Sequence, residues 1–301
     1  MMFLRCFSNL CKWPVTGRSI LNYRRLLSTS GRKHDNNELV VDRLEGNLNG
    51  IVVLGMNRPK AKNSFSKNLS NLLCDTVEKL KYDQNLRVLI VRSMVPGIFC
   101  AGADLKERLT MTPEEVGPFV GRLRQLILDM QKFPVPTIAA LDGTAVGGGL
   151  EMALGYDMRV ASTDAKMGLV ETKLAIIPGG GGTQNLARIV GPSIAKELIF
   201  TGRTLDGKQA HDIGLVNHVV EQNETGDAAY HRALELAKEI IPQGPIALRM
   251  AKQAINCGTE VDLASGMAFE QACYAQVIPT KDRLEGLTAF KEKRPPQYKG
   301  H

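Results

Sequence analysis

The chain has 301 residues, 44% of them hydrophobic and 23% charged, with a net charge of +7. That length suits one large domain or two small ones around a real core, and the composition is that of an ordinary soluble globular protein. The charge is localised: Arg5, Lys12, Arg18, Arg24, Arg25, Arg32 and Lys33 precede the first acid, Asp35, and equal the whole excess. Residues 34–301 therefore balance near zero and lack the basic body that nucleic-acid affinity generally needs.

Residues 1–33 are rich in Arg and Ser, free of acids and only intermittently apolar, which is the composition of an organellar transit peptide. A presequence ending between Leu27 and Lys33 and a mitochondrial matrix location are expected; a disordered basic tail is the plainer alternative. No apolar run approaches the ~20 residues of a membrane-spanning helix, so no membrane partner is expected. Beyond the presequence Cys74, Cys100, Cys257 and Cys273 have no C-x-x-C spacing. Reduced thiols are expected, with neither zinc nor a disulfide framework. The five histidines form no H-E-x-x-H, and no G-x-S-x-G marks a hydrolase serine.

The body opens with alternation from Leu39 to Leu44, read as a strand that turns at Asn49-Gly50 into a second, Ile51 to Leu54. Asn57-Arg58-Pro59 breaks that run. A helix is predicted over 66–82, with Leu69, Leu72, Leu73, Val77 and Leu80 on one face. Val88 to Val91 is wholly apolar, as in a strand buried within a parallel sheet. A helix over 113–132 follows, with Pro113 suited to its first turn. The central strand runs from Pro136 to Leu141, with further strands at Met158 to Ala161, near Met167 and at Leu215 to Val220. A helix covers 194–200. After Glu221 four helical patterns succeed one another, at 230–241, 245–256, 262–276 and 280–290. Alternating β and α followed by helices alone predicts an α/β core with a helical C-terminal region.

Gly143 to Gln184 carries the chemistry. Gly147-Gly148-Gly149 stands between the central strand and a short helical run, Leu150 to Leu154, where small residues turn free N–H donors toward a bound group. The helix dipole adds a positive end there, suited to an anion or a developing oxyanion. Glu151 falls in that first turn, and Glu171 lies twenty residues on, before the second cluster, Gly179 to Gly182. A glycine-rich turn is usually only a turn, and an acid in a first helical turn is usually only a dipole partner. Neither cluster has G-x-G-x-x-G spacing, which disfavours dinucleotide binding, and no Gly-Lys-Ser/Thr follows, which excludes a P-loop.

Four motifs in order give the chain a resemblance to the crotonase (enoyl-CoA hydratase/isomerase) family over about residues 38–300. They are Asn57-Arg58-Pro59-Lys60-Ala61, Phe99 to Glu107, Gly147-Gly148-Gly149-Leu150-Glu151 and Gly179 to Gln184. The resemblance implies an α/β fold with a spiral core of ββα turns over 34–240, a C-terminal helical trimerisation region over 241–301, and a homotrimer or a hexamer of two trimers. It implies hydration of the 2,3 double bond of an enoyl-CoA, with coenzyme A carried by the substrate and no separate cofactor or metal.

Carried over by position, the N–H groups of Ala103 and Gly148 form an oxyanion hole for the thioester, Glu151 serves the water and Glu171 the proton at Cα. Lys60, Ala61, Lys62, Asp104, Leu105 and Lys106 match coenzyme A contacts. Phe290 and Lys293 match a patch that reaches the nucleotide from a neighbouring subunit. The nearest family matches imply 3-methylglutaconyl-CoA as substrate, with a general short-chain enoyl-CoA as the alternative. Its distal carboxylate calls for a cation. Arg108 and Lys173 are the nearest bases, although solvent-facing charge is the commoner explanation for both. A relative in the family binds AU-rich RNA through lysines at one-turn spacing. Here Lys67 keeps one such position, Asn71 and Asp75 replace the next two, and Lys79 and Lys81 leave only a modest basic edge, so RNA binding is expected to be weakened.

Overall fold

The computed structural model describes residues 38–301, and the segment read as a presequence lies outside them. Strand β1 (Leu39–Arg43) pairs antiparallel with β2 (Ile51–Met56). Their connection holds a 3-10 turn, Gly46–Leu48, ahead of the expected turn at Asn49-Gly50. A second 3-10 turn, Pro59–Ala61, leads into α1 (Lys67–Leu80), which is capped by Ser66, whose Oγ accepts from the Leu69 N–H. Leu69, Leu73, Val77 and Leu80 bury the face that periodicity selects.

Three turns of a spiral follow. The first comprises β3 (Val88–Ser93), β4 (Ile98–Cys100), α2 (Leu105–Thr110) and α3 (Pro113–Gln131). The second comprises β5 (Thr137–Leu141), β6 (Thr144–Val146) and α4 (Gly148–Leu154). The third comprises β7 (Met158–Ser162), β8 (Lys166–Gly168), a 3-10 turn at Glu171–Leu174, α5 (Gly182–Val190) and α6 (Pro192–Thr201). In each turn the first strand joins a six-stranded sheet of order β1-β2-β3-β5-β7-β10, parallel from β2 onward. The second strand joins a four-stranded sheet, β4-β6-β8-β9, whose last pair is antiparallel. Strands β9 (Leu205–Asp206) and β10 (His218–Val220) flank α7 (Gly207–Asp212). The strand expected to start at Leu215 starts three residues later, because the N–H groups of Leu215 and Val216 are taken by the Ala210 carbonyl behind α7.

The inner strands β2, β3 and β5 of the large sheet are buried on both faces, which is why they read as largely apolar runs. Val52, Leu54, Leu89, Val91, Ala139 and Leu141 face the main core. Their neighbours Ile51, Val53, Val88, Ile90, Ile138 and Ala140 face α8 (Ala228–Ile240). Ala229, Ala233 and Ala237 recur at one-turn spacing along α8, and their small side chains let it lie close on the strands. Helices α9 (Pro245–Gly258), α10 (Leu263–Val277) and α11 (Lys281–Glu292) complete the chain. Their outer faces expose Leu263, Met267, Tyr274, Leu284, Leu287 and Phe290. No helix among the described residues is long and apolar enough to cross a membrane.

Candidate active site

The spiral brings the ends of β4 and β6 side by side in the small sheet, and both glycine motifs act there. At the end of β4, Ala103 bridges Phe65 in parallel: the Phe65 N–H donates to the Gly102 carbonyl at 2.7 Å, and the Asp104 N–H donates to the Phe65 carbonyl at 3.2 Å. Successive N–H groups of an extended chain alternate in direction, so the Ala103 N–H points the other way. At the end of β6, Gly147 takes φ 54° and ψ −131°, a conformation open essentially to glycine alone, and α4 begins. The Gly148 N–H is then one of the unsatisfied donors of a helix start.

The two amides are neighbours because nothing separates them. A Cβ on Gly102 would lie 2.9 Å from the Val146 carbonyl and 3.1 Å from the Gly148 nitrogen, and one on Gly149 would lie 2.2 Å from the Cys100 carbonyl. The glycines are thus required by close main-chain approach.

A cavity of about 570 Å³ opens over this junction. Ala103, Gly148, Glu151 and Glu171 line it together, and Phe65, Phe119, Leu123 and Ile127 make it largely apolar. Glu151 and Glu171 are 4% and 9% exposed, so both carboxyls sit in a poorly solvated place. They are treated very differently. Glu151 Oε1 accepts the N–H groups of Gly180 at 2.8 Å and Gly182 at 2.7 Å. The second glycine cluster is therefore an anion cradle whose anion is internal.

Burial raises the Glu151 pKa, and the Gly182 and Gly180 amides hold it back. Glu171 has no such help: both its oxygens are buried without a hydrogen-bond partner. Burial, with the Glu151 charge adding to it, pushes Glu171 up to about 7, and its own main-chain N–H offsets only part of the rise. The pair thus divides into a carboxyl oriented by two amides and one whose proton is gained or lost near neutrality.

Leu105 also lines the cavity, whereas Lys60, Ala61, Lys62, Asp104 and Lys106 do not. The Asp104 carboxylate accepts from the Arg58 guanidinium at 2.7 Å and from the N–H groups of Lys106 and Glu107, which fixes the start of α2. Lys62, at φ 52°, offers its carbonyl to the Ala101 N–H and so ties the Pro59–Ala61 turn to the end of β4. Phe290 is 87% exposed at the end of α11, and Lys293 caps that helix in the left-handed conformation. Of the lysines considered for RNA, Lys67 pairs with Glu115 at 3.3 Å and Lys81 with Glu78 at 2.7 Å, while Lys79 is exposed.

Sequence reasoning did not single out the aromatic wall of Phe65 and Phe119, nor the fact that Gly180 and Gly182 serve Glu151. The four-glycine run was the available signal for the latter. Among the described residues no group of three or more His, Cys, Asp and Glu side chains is placed to hold a metal ion.

A spiral of ββα turns around a cavity lined by two buried glutamates is the architecture of an enzyme of the crotonase fold. The enoyl-CoA hydratase/isomerase family profile matches residues 46–301. The chain belongs to that family. It is 65% identical over 263 residues to the mitochondrial methylglutaconyl-CoA hydratase of Homo sapiens, covering 87% of this chain and 78% of the human one. It is 58% identical, again over 263 residues, to the mitochondrial enoyl-CoA hydratase domain-containing protein 2 of Mus musculus, covering 87% of this chain and 89% of that one. Among solved structures, an enoyl-CoA hydratase from Bacillus anthracis superimposes with a TM-score of 0.84 at 44% identity, over 88% of this chain and all of that one.

Proposed function

We propose that the protein hydrates the 2,3 double bond of an enoyl-CoA thioester, with 3-methylglutaconyl-CoA as the preferred substrate and 3-hydroxy-3-methylglutaryl-CoA as product. The observation that carries the reaction type is the unequal carboxyl pair in the one cavity that Ala103 and Gly148 also line. The choice of acyl group rests on the names of relatives 62–65% identical to this chain.

In this reading the Ala103 and Gly148 N–H groups take the thioester oxygen. As the enolate forms, each donor contributes ~3 kcal/mol. Glu151, kept ionised by its amide cradle, holds the water and accepts its proton as oxygen bonds to C3. Glu171, protonated near neutrality, delivers a proton to C2. The pair begins and ends with one proton between them, so only their occupancy exchanges. The roles of Lys60, Ala61, Lys62, Asp104, Leu105 and Lys106 are along the coenzyme A chain, with Asp104 acting by fixing the β4–α2 corner. Phe290 and Lys293 complete the nucleotide end from a neighbouring subunit.

That last assignment requires self-association. Exposed Leu284, Leu287 and Phe290 on α11, with Met267 and Tyr274 on α10, form an apolar face suited to burial between copies in a trimer or hexamer. On this view 34–240 is the catalytic spiral, 241–301 the assembly region, and 1–33 a presequence for the mitochondrial matrix, in keeping with relatives named as mitochondrial. Steady-state rates on 3-methylglutaconyl-CoA and crotonyl-CoA, followed by loss of enoyl absorbance, test the substrate. A kcat/KM favouring crotonyl-CoA by orders of magnitude would make this a general short-chain hydratase. Light scattering of the purified chain tests the assembly, and a monomer at micromolar concentration would refute it.

A further inference from the structure

One cation reaches into the cavity. Arg108 stands in the last turn of α2 and lines the same wall as Ala103 and Leu105. Its guanidinium carbon lies 5.4 Å from the centroid of the Phe119 ring on α3. Its Nη1 is shut away from water and has no hydrogen-bond partner. The cavity's own acids do not supply one: Glu151 is engaged by Gly180 and Gly182, and neither oxygen of Glu171 has a partner. Lys173, the other base near the motifs, instead packs its aliphatic stem toward Gly202.

An arginine cannot escape this position by losing its proton. Burial alone, with no acid opposing it, lowers its pKa. A guanidinium nitrogen stripped of water and left unpaired is costly, and a plain hydrocarbon acyl chain would do nothing for it. A carboxylate would, through the two-pronged geometry that guanidinium offers. Phe119 holds one face of the guanidinium, which limits its swing and leaves the edge for an anion. Arg108 stands five residues beyond Ala103, on the helix that follows it, and both line the one cavity, so an acyl chain held at the Ala103 amide extends into the space that Arg108 borders.

We propose that Arg108 binds a carboxylate at the far end of the acyl chain and makes this cavity prefer dicarboxylic acyl thioesters to simple ones. The inference rests on the reading given above for the thioester end, with its oxygen on the Ala103 and Gly148 amides. A cation so placed has a second source of anions in the coenzyme A phosphates, and the test separates the two.

Calorimetric binding of glutaryl-CoA and pentanoyl-CoA to the full chain compares a terminal carboxylate with a methyl group, and neither ligand can be hydrated. The wild type is expected to bind glutaryl-CoA at least ~10-fold more tightly. Arg108→Met should remove that preference by weakening glutaryl-CoA ~10–100-fold while pentanoyl-CoA stays within about threefold, and Arg108→Lys should keep part of it. Retained pentanoyl-CoA binding also shows that the variant is folded. Equal loss for both ligands would assign Arg108 to the phosphates and overturn the proposal, as would a wild type without preference. The substrate reading fails separately: a wild type that grips glutaryl-CoA through Arg108 yet does not hydrate 3-methylglutaconyl-CoA keeps this inference and loses that one. Undiminished kcat/KM for 3-methylglutaconyl-CoA in Arg108→Met would do the reverse.

Discussion

Gly182 donates its main-chain N–H to Glu151 Oε1 over 2.7 Å, and a Cβ on that glycine would sit 2.9 Å from the same oxygen. The contact that orients the carboxylate is thus also the reason no side chain fits. Gly182→Ala is expected to leave the fold intact but displace the carboxyl by a few tenths of an ångström to an ångström. A misplacement of about 1 Å in a reacting group costs up to ~100-fold in rate, so kcat should fall ~10–100-fold with KM changed far less. Steady-state kinetics beside a circular dichroism spectrum check this, and wild-type kcat in the variant would show that the cradle does not set catalysis.

The two glutamates should be unequal in stability but alike in rate. Glu151→Gln and Glu171→Gln are each expected to lower kcat at least ~100-fold, as loss of a general acid or base does. Glu171→Gln should also stabilise the protein at pH 8. Its folded pKa, about 7, lies above the ordinary glutamate range, so the folded state binds more protons between about 4.5 and 7. Stability contributed by this group is present at low pH and is lost as pH rises through 7, where an uncompensated buried charge remains. A neutral amide removes that penalty, and a rise in Tm of roughly 2–6 °C is expected at pH 8, shrinking toward pH 5. A lower Tm for Glu171→Gln at pH 8 would contradict the burial argument.

The same group shapes the pH profile. In the proposed mechanism hydration needs Glu151 ionised and Glu171 protonated, and dehydration starts from the other arrangement of the same single proton. Because both directions use the singly protonated pair, kcat/KM for hydration and dehydration should decline together on the alkaline side of an apparent pKa near 7. Rates measured from pH 5.5 to 9 in both directions would show it. A flat profile, or opposite trends in the two directions, would mean that Glu171 is not the proton donor.

Much of this architecture was legible in the sequence because it is written locally. Val88 to Val91 and Ile138 to Leu141 are apolar throughout, since α8 covers one face of the sheet and the main core the other. The period of α1 and the Ser66 cap likewise appear in adjacent residues. The small sheet was legible only in the strand near Met167: Ile98–Cys100 and Thr144–Val146 are three-residue strands whose partners come from other turns of the spiral. Nor was the fate of Arg108, an arginine in a six-residue helix whose burial is decided by Phe119 on the next helix. The glycine run at 179–182 was visible as a motif, but only the fold shows that its amides hold Glu151.

Asp282 anchors the chain's end. It is 7% exposed, and its two oxygens accept the N–H groups of Lys299 and Gly300, each at 2.7 Å, while the N–H groups of Lys281 and Asp282 at the start of α11 donate to the His301 carbonyl. The tail is thus clamped to a helix N-terminus, where the dipole favours the carboxylate. Asp282→Ala strands two part-buried donors, each costing ~1–3 kcal/mol when left unpaired. The expected outcome is local: amides of residues 299–301 and of the first turn of α11 exchange with deuterium at least ~10-fold faster, while those of the large sheet keep their protection. If the proposed nucleotide contacts of Phe290 and Lys293 depend on α11 being held in place, the variant should also raise KM for acyl-CoA with little change in kcat. Unaltered exchange at Lys299 and Gly300 in Asp282→Ala would show that packing around Tyr298, rather than the carboxylate, retains the tail.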